Sequence, residues 1–433
     1  MSTVRQAPGG GVLVAPASRV GVRDPWRDLS IALALATLFL LGARMFVGRN
    51  ISVGLLLALA IAPVWIMHAL RGKRRVSVMV TFLATVVSAL WLTANAAPTH
   101  VVDIALMFSM LSLYVTIPVT IGVLLWAGTL VPMWVAAGSY SAGLVLSAFL
   151  RPSLFLENPW KYAIGLPVAA LLLSIAMAFR SRQVEIAALL LLAAASAGMD
   201  SRSFFGVFAL VALLTFWQML PRLSRRRASA LTVLAWVGAL ALIIYVVGTS
   251  LLLEGYLGET AQQRSIEQQE RAGSVIVGGR PEMAATAALF LHRPIGFGPG
   301  ILITPTELLA VKGGMRTINY DPENGWVEQR LFGDSIELHS VIGDVWAHLG
   351  IPGLLFLLVV LVILAHRTAA DLAERNASAL LLFTVAISVW NLAFNPIYSS
   401  APFLALAIAL SLASPEETPQ YPASLASRQA TRR

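Results

Sequence analysis

The chain has 433 residues, of which 58% are apolar and only 12% charged, against roughly 25% charged in soluble domains. That balance excludes an ordinary soluble globular protein, and the absence of cysteine excludes disulfides, thiolate nucleophiles and cysteine-ligated metal centres. The net charge of +9 makes the placement of basic residues relative to a membrane the first question.

Residues 1–28 are rich in Gly and Pro, carry Arg5, Arg19, Arg23 and Arg27, and lack a cleavage-site pattern, so they read as a flexible cytoplasmic tail. Apolar runs long enough to cross a ~30 Å hydrocarbon core follow at 29–47, 51–70, 76–94, 101–125, 129–150, 161–179, 184–199, 204–220 and 230–253. After a long polar segment they resume at 341–365, 378–395 and 399–413. The pattern predicts an all-α polytopic membrane protein of about 12 transmembrane helices. Spans occupy 29–253 and 341–413, one large extracytoplasmic loop domain occupies 254–340, and a cytoplasmic tail occupies 414–433.

Alternating from an inside N-terminus, the cytoplasmic loops contain Arg71, Lys73, Arg74 and Arg75, then Arg180 and Arg182, then Arg222, Arg225, Arg226 and Arg227, then Arg367 and Arg375. With Arg428, Arg432, Arg433 and the N-terminal tail they hold 19 of the 31 Lys and Arg. The short outward loops hold only Arg44, Arg49, Arg151, Lys161 and Arg202, as the positive-inside bias requires. No basic residue marks the turn expected near Trp126 and Gly128, which leaves a re-entrant segment open there. The outward segment from Glu254 to Leu338 holds 11 of the 22 acids, and no cytoplasmic loop has the length or glycine-rich phosphate loop of a nucleotide-binding domain.

Within the outward segment, Gly279-Arg280-Pro281 opens a stretch from Glu282 to His292 with Met283, Ala287, Phe290 and Leu291 at helical spacing. Such a helix is suited to the membrane surface and holds Arg280 at its N-terminal end, where amides also favour anions. A solvated arginine is the plain alternative. His339 stands at the outer boundary of the next span, where a neutral imidazole can accept a proton from a hydroxyl or serve only as an interfacial residue. Asp344 and His348 are one helical turn apart and are expected to face each other, as a structural pair or a proton relay. Arg202, in the short outward turn Gly198-Met199-Asp200-Ser201-Arg202-Ser203, pairs with Asp200 or presents its planar fork to a phosphate.

These residues in this order resemble the O-antigen ligase and O-antigen polymerase superfamily. The resemblance rests on Ser201-Arg202-Ser203, the Gly279-Arg280 helix entry, Pro294-Ile295-Gly296-Phe297-Gly298, and the His339 to Gly353 run with its Gly350 and Gly353 ending. It covers roughly 198–353; Ser340 stands where the family usually has Asn, His348 where Glu is common, and the aromatic often found just after Gly-Arg is missing. The resemblance implies a C-type glycosyltransferase-like membrane enzyme, without metal or other cofactor, on the outer face of the bacterial cytoplasmic membrane. It would move a glycan from a polyprenyl diphosphate to an acceptor hydroxyl on a lipid or another glycan, with no nucleic-acid partner. Arg202 and Arg280 would take the diphosphate, and His339 and Arg280 would be the catalytic residues. Ligase and polymerase differ in the acceptor. A transporter or flippase of a lipid-linked glycan is the competing class, for which Asp103, Glu185 and Asp344 are the few acids in or near spans.

Overall fold

The computed structural model describes residues 25–47, 51–221, 229–254 and 259–414. The arginines expected in the tails at Arg5, Arg19, Arg23, Arg428, Arg432 and Arg433, and the cluster Arg222, Arg225, Arg226 and Arg227, lie outside the described residues. Among the described residues 78% are helical and none lies in a strand. Among the described residues six helical segments are long and apolar enough to cross a membrane: α1 (Pro25–Ala43), α4 (Lys73–Ala96), α5 (Ile104–Leu130), the segment Trp160–Ala178 that contains α7 (Gly165–Ala178), α10 (Ala230–Leu253) and α15 (Val341–Glu374). Between them lie α2 (Val53–Ala60), α3 (Ala62–Ala69), α6 (Met133–Phe149), α8 (Arg182–Gly198) and α9 (Arg202–Trp217), and after them α16 (Ala379–Phe394) and α17 (Ile397–Leu412).

Local chemistry sets the boundaries. Asp103, Ser52, Ser340 and Ser378 each accept an orphan amide three residues on and so start α5, α2, α15 and α16. The apolar run expected to be continuous over 51–70 breaks at Ile61 into α2 and α3, because Pro63 in the first turn of α3 cannot donate to the preceding turn. The turn expected near Trp126 and Gly128 lies farther on: α5 continues to Leu130 with Trp126 buried, and Val131-Pro132 makes a tight connection to α6. This region is a pair of helices joined by a short turn.

α1 and α6 cross where Gly42 meets Gly143. A Cβ on Gly42 would lie 2.1 Å from the Tyr140 carbonyl, and one on Gly143 would lie 2.1 Å from the Phe39 carbonyl. Only glycine lets the two backbones approach this closely, as in small-residue crossings of membrane helices.

Basic side chains close one end of the bundle. Arg75 donates to the Leu412 carbonyl, Arg367 to that of Ala413, Arg182 to that of Ala377, and Arg375 to that of Leu220. The Leu412 and Ala413 carbonyls end α17, where cations satisfy orphan acceptors and the negative end of the helix dipole together.

The opposite end carries a second core. In the segment 254–340, α11 (Glu259–Ala272) and α12 (Val275–Gly278) precede α13 (Glu282–His292) and α14 (Pro305–Arg316). Ala285, Leu289, Phe297, Val311, Met315, Val327, Leu331 and Leu338 pack against Ala96, Trp346 and Ala347 from the ends of α4 and α15. α13 packs on the core through Ala285 and Leu289, and the stripe expected to suit the membrane surface leaves Met283, Phe290 and Leu291 exposed.

A glycine turn joins this core to the bundle. α15 is broken at Gly350 (φ 67°, ψ −156°), so the Ala347 carbonyl instead accepts the Phe297 and Gly298 amides at 2.8 and 2.9 Å. Gly296 (φ 95°) lies so close to the Trp346 carbonyl that a Cβ there would sit 2.5 Å from it.

Candidate functional site

The predicted site residues all lie at the end of the bundle that carries the second core. Arg202 is the first residue of α9 and follows Asp200, which adopts a left-handed backbone (φ 48°). Its Nε lies 3.5 Å from Asp200 Oδ1, the local pair that the spacing anticipates, and its Nη1 donates to Ser265 Oγ of α11 at 3.2 Å. The neighbouring Ser201 hydroxyl is buried with no hydrogen-bond partner among the described residues.

Arg280 precedes α13. Its Nη1 is 3.3 Å from Glu282 Oε1, and its guanidinium carbon lies 5.6 Å from the centre of the Phe394 ring at the end of α16. Arg202 and Arg280 do not touch but share a support. α11, which binds Arg202 through Ser265, also backs Gly278 so closely that a Cβ there would overlap the Gln268 carbonyl.

His339 lies outside the helix it was expected to begin. Ser340 is the N-cap of α15, and His339 just before it has φ 52°. The ring faces Trp326, with centres 5.7 Å apart, and Nδ1 is 3.1 Å from the Glu337 carbonyl. A carbonyl only accepts, so this contact assigns the proton to Nδ1 and leaves Nε2 as the acceptor.

Asp344 and His348 have separate partners, which corrects the expected pairing. The Asp344 carboxylate accepts the Leu338 amide at 2.6 Å and the Ile397 amide at 2.8 Å. His348 Nδ1 is 3.0 Å from the Tyr114 hydroxyl of α5, which also reaches the Asp344 carbonyl at 3.3 Å. Their helical spacing is as expected, but unpaired amides at two chain turns are better partners for a buried carboxylate than a neutral ring.

The turn Phe394-Asn395-Pro396-Ile397-Tyr398 is the hub that sequence reasoning missed. Phe394 lies under Arg280, Ile397 is held by Asp344, and Asp344 in turn holds Leu338 next to His339. Arg280 thus meets this turn directly, and His339 is linked to it only through Leu338 and Asp344, with Arg202 joined through α11. Asn395-Pro396 is a turn signal between two apolar runs, yet nothing local shows which residues it meets. Among the described residues no group of three or more histidines and carboxylates converges to hold a metal ion. No protein-family model, curated protein or solved structure matches the chain.

Proposed function

We propose that the protein is a metal-independent O-antigen ligase-like glycosyltransferase that moves a glycan from a polyprenyl diphosphate to an acceptor hydroxyl. In this reading the chain has about twelve spans, with the segment 254–340 and the site on the outer face of the cytoplasmic membrane. The observation that carries the reading is that Arg280 meets Phe394 while Asp344 ties Leu338, next to His339, to Ile397 of the same turn, at the bundle end that also carries Arg202. The acceptor oxygen attacks the anomeric carbon and its proton passes to His339 Nε2. The bond from that carbon to the diphosphate oxygen breaks, and its electron pair leaves with the diphosphate. Arg202 and Arg280, whose carboxylate contacts are long at 3.5 and 3.3 Å, stabilise that developing charge without a metal. An O-antigen-type polymerase would use the same residues with a lipid-linked glycan as acceptor.

A transport reading gains no support from the acids in or near the helices. Asp103 caps α5, Glu185 binds Arg182 and the Ala379 amide, and Asp344 holds two amides. Each has a structural task that an exchanging ion would disturb.

Purified protein supplied with a polyprenyl diphosphate glycan and candidate acceptors tests the proposal. Arg280→Ala should abolish transfer, and Arg280→Lys should lose most of it because one ammonium cannot make the bidentate contact. His339→Ala should leave donor binding intact and lower turnover by ~10² to 10⁴. Absence of transfer by the wild type with every acceptor, a requirement for Mg²⁺, or full turnover by folded His339→Ala would each defeat it.

A further inference from the structure

A second cluster of cations meets the Phe394–Tyr398 turn at Tyr398, where Arg280 meets it at Phe394. The glycine crossing of α1 and α6 brings the C-terminal ends of these helices together, and the first basic residue beyond each end is Arg44 and Arg151. Arg44 places its guanidinium carbon 4.3 Å from the centre of the Tyr398 ring and 5.7 Å from that of Phe46. Arg151 lies 5.6 and 5.4 Å from the same two rings. Arg151 Nη2 also donates to Ser147 Oγ at 3.0 Å. Neither arginine has a carboxylate partner among the described residues.

Two like charges so close repel each other unless an anion lies between them, and the fold fixes both by stacking them on shared rings. Arg44 also lines a narrow recess of about 30 Å³, open to the surface, between α1, α5, α6 and α17. Its walls are largely apolar, from Leu41, Leu113, Ile117 and Ala405, with Ser52, Thr116, Thr120 and Tyr140 as polar positions.

We propose that Arg44 and Arg151 form a phosphate-binding site for a phosphorylated amphiphile, with the phosphate on the two guanidinium forks and the apolar part lying along the apolar mouth of the recess beside Arg44. A planar fork fits phosphate oxygens bidentately, and the apolar mouth gives the adjoining chain a surface on which to shed water. The site is separate from Arg202 and Arg280 and does not rest on the transferase reading. It shares the Phe394–Tyr398 turn with that reading, because Tyr398 directly follows the residue held by Asp344.

The test uses the full chain in neutral detergent micelles, with short-chain phosphatidic acid, phosphatidylcholine and inorganic phosphate as probes, read by ligand-induced thermal shift and direct titration. Phosphatidic acid should bind the wild type and raise its Tm, while phosphatidylcholine should not. Arg44→Gln with Arg151→Gln should weaken phosphatidic acid binding at least tenfold, and Arg74→Gln at the other end of the bundle should not change it. Arg151→Gln alone serves if the double variant fails to fold. Its Tm without probe should match or exceed that of the wild type because the repulsion is relieved, an outcome a purely structural arginine would not give. Unchanged phosphatidic acid affinity in a folded variant would overturn the proposal. Inorganic phosphate binding as tightly as phosphatidic acid would replace the amphiphile with a free anion and overturn it equally.

Discussion

The Asp344 carboxylate is 1% exposed and joins two turns that are 59 residues apart in the chain, at Leu338 and Ile397. It sits in the first turn of α15, where the positive end of the helix dipole favours a negative charge. Asp344→Asn keeps the size but leaves an amide group facing one of the two N–H donors. The loss of one charge-assisted bond at a buried site should destabilise the protein by about 1–3 kcal/mol. Hydrogen exchange should accelerate at the Leu338 and Ile397 amides before it does so in the middle of α15; protection equal to wild type at both amides would show that the carboxylate does not hold the turns. Residue-level reading of the sequence succeeds where partners are local, as for Arg202 with Asp200. It fails where they come from a distant turn, as for Asp344 and for Arg280 over Phe394. One helical turn between Asp344 and His348 correctly places them on one face but does not choose their partners.

Helix α14 begins with a reciprocal cap. The Thr304 hydroxyl accepts the Glu307 amide and Glu307 Oε2 accepts the Thr304 amide at 2.7 Å, while Glu307 Oε1 lies 2.9 Å from His100 Nε2 on the α4–α5 connection. Burial pushes the Glu307 carboxyl up, but hydrogen bonds from the Thr304 amide, His100 and the Thr304 hydroxyl outweigh it, so it titrates below its ordinary 4.5. A depressed carboxylate stabilises the fold above its unfolded value, and that contribution disappears as pH falls through the folded value. Glu307→Gln should therefore lower Tm at pH 7, with a loss of roughly 1–2 kcal/mol of stability, and the difference from wild type should shrink as pH falls below 4.5 and through the folded value. A gap that does not change with pH over the acid range would assign the effect to packing. At this scale the Thr304-x-x-Glu307 signature is legible in the chain, as are the helix-stopping prolines. The buried face of α13 was not, because Ala285 and Leu289 carry it while the longer stripe of Met283, Phe290 and Leu291 stays exposed, with Phe290 alone of the three reaching Trp346.

At the scale of the molecule, helix ends alternate between an end closed by Arg75, Arg182, Arg367 and Arg375 and an end that carries the second core. The basic end is expected in the cytoplasm. Cysteines introduced at Gly72 and Gln268 should label in intact cells only at position 268, and the reverse pattern would invert the topology. The helical order and most helix limits were legible because apolar runs, serine caps and prolines are local signals. How the helices converge was not legible, because the Gly42–Gly143 crossing and the Ala347 acceptor for the 297–298 amides depend on residues far apart in the chain. That last contact has a consequence for the order in which the protein is made. The segment 294–300 leaves the ribosome before Trp346 and Ala347, and the second core also draws on Ala96 from α4. Residues 282–338 must therefore wait for α15 before their interior can close, so their completion falls late in synthesis. A polypeptide cut out as residues 254–340 would lack both the walls of its own core and the carbonyl that anchors its glycine turn.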